Sequence, residues 1–250
     1  MTTDDRPART EAPGGGSDPK SGCVPDPDPD HKRVRDSYDA VAEEYQARIG
    51  DELAHKPLDR ALLGALVETA GPGAAIADLG CGPGHVTGWL AARGARAVGV
   101  DLSPGMVAVG RREHPEAEFR QGDLLRLPAA DAEFDAAVAL YSLIHLATGE
   151  LPAAFAEARR VLRPGGRLLV AFHLGAEVRH MTDWWGHAVD VEFHFRESGA
   201  VSDAMTAAGF AVEARMERAP YPQEAETHRG YVLARRADWS DRPTSAHQAQ

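Results

Sequence analysis

The sequence predicts a doubly wound α/β fold, and two observations carry that prediction. Segments of helical and strand-like apolar spacing alternate through the central part of the chain. A glycine-rich segment, Asp78-Leu-Gly80-Cys-Gly82-Pro-Gly84, falls where a strand-like run gives way to a helix. Such alternation builds a largely parallel sheet with helices on both faces, and its right-handed crossovers place ligands at the C-terminal edge of the strands.

The elements justify this in order. Tyr38, Val41, Ala42, Tyr45 and Ile49 recur on one helical face, with Asp36 as the expected N-cap. A second helix carries Leu58, Leu62 and Leu66 and stops at Gly71-Pro72-Gly73. The apolar run 74–77 precedes the glycine segment, and a helix with Val86, Trp89 and Leu90 on one side follows, with Gly94 placed to end it. The strand-like run 97–100 ends at Asp101, after which Ser103-Pro104 supplies an N-cap and a first-turn proline. Further strands are expected at 118–120, 134–141, 167–173, 211–216 and 230–234. Helices carrying Leu151, Phe155, Ala158 and Leu162, and Val201, Met205 and Ala208, lie between them.

Composition bounds the ordered part. Residues 1–30 are rich in Pro, Gly and Asp and offer little apolar surface to offset ordering entropy, so a tail is expected there and another over 237–250. That leaves residues 31–236 as one domain. With 27 basic against 38 acidic residues the net charge is -11, which disfavours a phosphate backbone as partner; the pairs Arg111-Arg112, Arg159-Arg160 and Arg235-Arg236 are short and scattered. Neither a bilayer-length apolar run nor a secretory signal is present, so no membrane partner and a cytoplasmic location are expected. Cys23 and Cys81 are too few for a disulfide framework and lack metal-ligand spacing.

The glycine segment permits a sharp turn and a close backbone approach to a ligand, and the helix after it offers free N–H groups to an anion. A dinucleotide fingerprint requires G-x-G-x-x-G, but counting from Gly80 and Gly82 the sixth position is His85. A nicotinamide-dependent dehydrogenase, which shares the fold, is disfavoured on that ground. Asp101, ending the next strand, suits two ribose hydroxyls, and Asp123 follows the third.

Five segments, SYDAVAEEY, ADLGCGPG, VGVDLSPGM, GDLLRLP and VLRPGGRLLVAF, occur in order between residues 37 and 172. On these the chain resembles the class I S-adenosylmethionine-dependent methyltransferases. It is most similar to the small-molecule group that includes ubiquinone and menaquinone biosynthesis enzymes and actinobacterial secondary-metabolite methyltransferases. The resemblance implies a Rossmann-like seven-stranded sheet, mostly parallel, with an antiparallel last strand. It implies that Gly80 and Gly82 receive the methionine portion of S-adenosylmethionine and that Asp78 orients the loop or holds the ammonium group through water. Asp101 would bind ribose, Leu102 and Met106 would cover adenine, and Asp123 and the Leu124 N–H would meet its polar edge. Leu140 would lie beside the methionine moiety, and Tyr38 would sit on a helix that closes over the cofactor. Plainer readings stand beside these: Met106 as core, Asp123 as a turn residue after Gly122, and Tyr38 and Tyr45 as packing on an amphipathic helix.

The acceptor is expected to be a small, flat, electron-rich molecule such as an indole, phenol or amine. His145, after the fourth strand, and Glu192 are the candidates for handling its proton, and His173, after the fifth strand, is expected to contact the acceptor. The stretch 180–195, HMTDWWGHAVDVEFHF, reads in part as a strand with Val191, Phe193 and Phe195 on one side and Glu192 and His194 on the other. We expect it to form an aromatic substrate lid, with Tyr45, Trp184, Trp185, His187 and His194 contacting the acceptor. It lacks the HExxH arrangement, so no metal is expected. A non-catalytic S-adenosylmethionine-binding regulator, or a methyltransferase of quinone-type, RNA or protein acceptors, is the alternative.

Overall fold

The computed structural model describes residues 29–237. The tails expected at 1–30 and 237–250 therefore fall outside the described residues except at their inner ends, as does Cys23.

Seven strands form one sheet: β1 (Ala75–Leu79), β2 (Arg96–Asp101), β3 (Glu118–Gln121), β4 (Phe134–Leu140), β5 (Leu162–His173), β8 (Phe210–Arg218) and β9 (Arg229–Arg236), in the order β3-β2-β1-β4-β5-β9-β8. The β1, β2, β3, β4 and β5 neighbours pair in parallel, while β9 runs antiparallel to both β5 and β8. The mostly parallel sheet with an antiparallel last strand is thus the observed one. Burial explains the apolar runs: every residue of β1 is buried, as central parallel strands require. The Pro164-Gly165-Gly166 turn lies inside β5, where the pairing with β4 jumps from Leu162 to Arg167.

The helices are α1 (Pro29–Ile49), α2 (Pro57–Ala70), α3 (His85–Ala91), α4 (Pro104–Glu113), α5 (Leu151–Val161) and α6 (Ser198–Ala207). One face of the sheet packs Phe134, Phe155, Leu168, Phe172 and Met205 against α5 and α6, and the other packs Leu63, Leu66, Ile76 and Leu90 from α2, α3 and β1. Ser103 caps α4 as expected, its hydroxyl accepting from the Met106 N–H at 2.9 Å. Asp36 caps nothing, however. Helix α1 opens seven residues earlier, at Pro29, and Asp36 sits mid-helix in an i,i+4 ion pair with Lys32.

Stretch 180–195 belongs to a hairpin rather than a lone strand. Strands β6 (Val178–Trp184) and β7 (His187–His194) pair antiparallel, and β7 lies against α1. Val189 and Val191 of β7 join Val41, Ala42, Met106 and Val109 in a separate apolar cluster beneath α1. No described helix is long and apolar enough to cross a membrane.

Gly64, inside α2, has an open position where a Cβ would stand and no left-handed φ. Gly64→Ala is expected to raise stability by about 0.5–1 kcal/mol by restricting the unfolded chain, read as a higher denaturant midpoint at constant slope.

Candidate active site

The C-terminal edge of β1, between β2 and β4, carries the site. Gly80 has φ +74°, and a Cβ there would lie 2.2 Å from the Ser142 Cβ, so no other residue fits. Its N–H and that of Cys81 both donate to the Val100 carbonyl, at 2.7 and 3.1 Å, pulling the loop over the end of β2. On the other side Ser142 donates its hydroxyl to the Leu79 carbonyl at 2.6 Å, while Tyr141 turns the chain through a left-handed φ of 58°. Two neighbouring strands thus clamp one loop.

Two carboxylates, one buried and one half-buried, hold that loop in shape. Asp78 accepts from the Thr87 hydroxyl at 2.7 Å, tying β1 to the first turn of α3. Asp101 accepts from the Gly82 N–H at 2.8 Å with one oxygen and from the Ser103 N–H at 2.9 Å with the other. Burial pushes both carboxyls up to about 6; the Thr87 hydroxyl partly opposes this at Asp78, as the two backbone N–H groups do at Asp101.

These groups line a cavity of about 660 Å³, in the range of small-molecule sites. Tyr38, Tyr45, Gly80, Gly82, Asp78, Asp101, Leu102, Asp123, Leu124, Leu140, His145, His173 and Trp184 all face it. Helix α1 roofs it, held by Asp39, which accepts from the Ser103 hydroxyl and, at 2.8 Å, from the Gly105 N–H, and by Ser37, which accepts from the Asp190 N–H of β7 at 2.8 Å.

Other expected contributors stand apart. Met106 is fully buried under α1, consistent with the core reading. The Glu192 side chain is 51% exposed and lies 3.4 Å from His194; only its backbone carbonyl points inward, because alternation along β7 turns Val191 and Phe193 to the core. His187 is exposed beside the hairpin turn, and Trp185 packs on Tyr45 beneath the Arg48 guanidinium rather than facing the cavity. The aromatic surface of the hairpin is therefore mainly Trp184 and Phe193, set edge-on to Tyr38, Tyr45 and His145. Among the described residues no three metal-ligating side chains gather.

His145 is held at both nitrogens. Its Nδ1 lies 3.0 Å from the Glu192 carbonyl and so carries the proton, leaving Nε2 to accept from the Tyr38 hydroxyl at 2.6 Å. Burial lowers its pKa to about 4, so the imidazole is neutral around pH 7. His173 contacts the Thr227 hydroxyl at 2.8 Å, stacks on Phe195, and is likewise lowered to about 4 by burial and by the nearby Arg229 and Lys56 charges.

Several cavity residues are not legible in the sequence. Lys56, Glu52 and His85 form a chain of contacts at 2.8 and 3.1 Å beside the first turn of α3, and His85 Nδ1 is buried without a partner. Lys56 and Arg229 lie over the Tyr141 ring. His31, at the margin of the expected tail, also faces the cavity, and only the early start of α1 brings it there.

With this geometry in place, the likeness to known proteins falls on the same elements. Residues 76–166 match the family described as a methyltransferase domain. The chain is 34% identical over 162 residues to a malonyl-[acyl-carrier protein] O-methyltransferase of Serratia marcescens, an alignment covering 65% of this chain and 58% of that one. It is 37% identical over 146 residues to a demethylmenaquinone methyltransferase of Beutenbergia cavernae, covering 58% and 59% respectively. The matched region thus spans less than two thirds of either relative. A 1,6-didemethyltoxoflavin-N1-methyltransferase of Burkholderia thailandensis, crystallised with 1,6-didemethyltoxoflavin and S-adenosylhomocysteine, shares the fold with a TM-score of 0.66. It is 21% identical and the match covers 86% of this chain and 93% of that one. The resemblance to class I S-adenosylmethionine-dependent methyltransferases, quinone-biosynthesis enzymes among them, therefore holds.

Stability should fall on the alkaline side of the pH scale through His31. The pKa of His31 is raised to about 9 by its Asp123 hydrogen bond against the opposing effect of burial, so its contribution is complete below about pH 6.5 and lost as pH rises through about 9. His145 and His173, lowered to about 4, cost stability as pH falls from about 6.5 toward 4, but Asp78 and Asp101, raised to about 6, take up protons first in the folded state over nearly the same range and offset that cost. Urea midpoints measured from pH 6 to 10 should show this alkaline limb, flattened in His31→Gln.

Proposed function

We propose that the chain is an enzyme that transfers a methyl group from S-adenosylmethionine to an N, O or C nucleophile of a small aromatic acceptor. One observation carries this reading: a single cavity runs from the clamped glycine loop and Asp101 to a chamber lined by Tyr141, His145, His173 and Phe195. The loop suits the cofactor on its own evidence. No side chain stands at Gly80 or Gly82, Asp101 faces the cavity, and the unpartnered His85 Nδ1 lies where a polar amino-acid end would need a contact.

S-adenosylmethionine, when bound, supplies a methyl carbon activated by a positive sulfur. The chain's part is to orient, exclude water and receive a proton. Tyr38, Tyr45 and Trp184 present aromatic surface to the cavity, which favours a cationic centre. Asp78 and Asp101 hold the loop, and α1 with the β6–β7 hairpin covers it. His145 offers a neutral Nε2 that an acceptor hydroxyl or amine can take over from Tyr38. Its low basicity means that it aligns the nucleophile and accepts the proton only as the new bond to carbon forms. Glu192, facing solvent, acts through its carbonyl, which fixes the His145 tautomer. The Tyr141, His173 and Phe195 rings pack on one another, with neighbouring centroids 5.3 and 5.2 Å apart, and so form one aromatic wall of the cavity against which a phenol, indole or related heterocycle can lie.

The net charge of -11 gives an RNA acceptor no support. Isothermal titration should show S-adenosylhomocysteine binding and no NADH binding; the reverse would overturn the reading. With a competent acceptor found by screening phenols, indoles and amines with labelled donor, His145→Ala should lower kcat on the order of 100-fold while S-adenosylhomocysteine affinity is kept.

A further inference from the structure

His31 has a setting that the methyl-transfer chemistry does not explain. It lies in the first turns of α1, 5% exposed, with Nδ1 2.8 Å from Asp123 Oδ2 and Nε2 3.0 Å from Glu150 Oε1. Each carboxylate is independently fixed by backbone: Asp123 Oδ1 accepts from the Leu125 N–H at 2.8 Å, and Glu150 Oε2 from the Ala147 N–H at 2.7 Å. The ring therefore enters a cradle already built on the sheet edge, and both its nitrogens donate only as an imidazolium. His31 and Asp123 line the same end of the cavity, with Gly122, Leu102 and Leu124.

We propose that His31 is a positioning residue for base recognition: it pins the Asp123 carboxylate at the edge of the cofactor base and so sets the preference for a 6-amino over a 6-oxo purine. The proposal rests on reading the cavity as an S-adenosylmethionine site with Asp123 at the adenine end. A carboxylate accepts from a 6-amino group and repels a 6-oxo group, but it discriminates only while it cannot turn away. The Leu125 N–H holds one oxygen. His31 holds the other, and the charge pair keeps the carboxylate ionised, below its usual range although burial opposes this. Because His31 belongs to α1, the same contact couples closure of the roof to alignment of the group that reads the base. Glu150 keeps the imidazole charged and fixes its plane, so it acts through His31 and never meets the ligand.

The test compares S-adenosylhomocysteine with S-inosylhomocysteine, its 6-oxo analogue, by isothermal titration at pH 7 on the full chain. Unaltered protein should prefer the adenosyl ligand by tenfold or more, since a site built to pair a hydrogen-bonding group rejects the analogue that cannot pair (about 1.4 kcal/mol per tenfold). Asp123→Asn should abolish most of that preference. His31→Ala should reduce the ratio of the two affinities severalfold, and His31→Gln, which keeps one hydrogen bond, should give an intermediate ratio and covers the case in which the alanine variant does not fold. The ratio is read within each variant, so a roof that merely loosens weakens both ligands alike and leaves it unchanged; that result overturns the role of His31. Failure of the unaltered protein to bind S-adenosylhomocysteine would instead overturn the cofactor reading itself.

Discussion

The backbone at Gly80 is the constraint on which the rest of the site depends. Its left-handed φ and the 2.2 Å that would separate a Cβ from the Ser142 Cβ leave one residue type able to stand between β1 and β4. Once it stands there, its N–H reaches the Val100 carbonyl and Ser142 reaches the Leu79 carbonyl, so the ends of three strands are fixed relative to one another. Asp101 can then accept from Gly82, and Asp78 from Thr87, without further adjustment. The crevice forms because the chain leaves β1 for one side of the sheet and returns to build β4 on the other.

Asp78 and Asp101, on the strands that flank that loop, set its electrostatics. In water each would be ionised near neutral pH with little cost. Here burial favours their protonated forms, and hydrogen bonds from the Thr87 hydroxyl and from the Gly82 and Ser103 N–H groups oppose it. The same low-dielectric setting makes His145 a poor base and a good acceptor, and it keeps Tyr38 protonated, its hydroxyl pushed well above its usual range. At His145 and Tyr38 polarity is therefore spent on orientation rather than on permanent charge.

Much of the sheet was legible because its strands are short apolar runs bounded by glycine, proline or an acidic residue, as at Ala75–Leu79 and Arg96–Asp101. The glycine loop, Asp101 and Asp123 were legible from spacing and order. What lay beyond reach came from contacts distant in sequence. His31 meets Asp123 across 92 positions and Glu150 across 119, and nothing local distinguishes it from the polar residues around it. Glu192 misled for a simpler reason: a period of two assigns it to the opposite face from Phe193, and that face turned out to be solvent. The start of α1 was misplaced because a Pro-Asp run reads as linker, whereas its final proline serves as the first residue of a helix.

Helix α1 is fastened along its length to Asp123 and Glu150 through His31, to β7 through Ser37, and to α4 twice, at its start through Asp39 and near its end through Glu43 with Arg112. These fasteners come from segments that share no direct covalent neighbourhood, and they sit above both halves of the cavity. A molecule beneath them leaves by undoing contacts that it does not itself make. Residence time in this protein is thus written into the roof as much as into the floor, and a change far from any bound molecule can lengthen or shorten its stay.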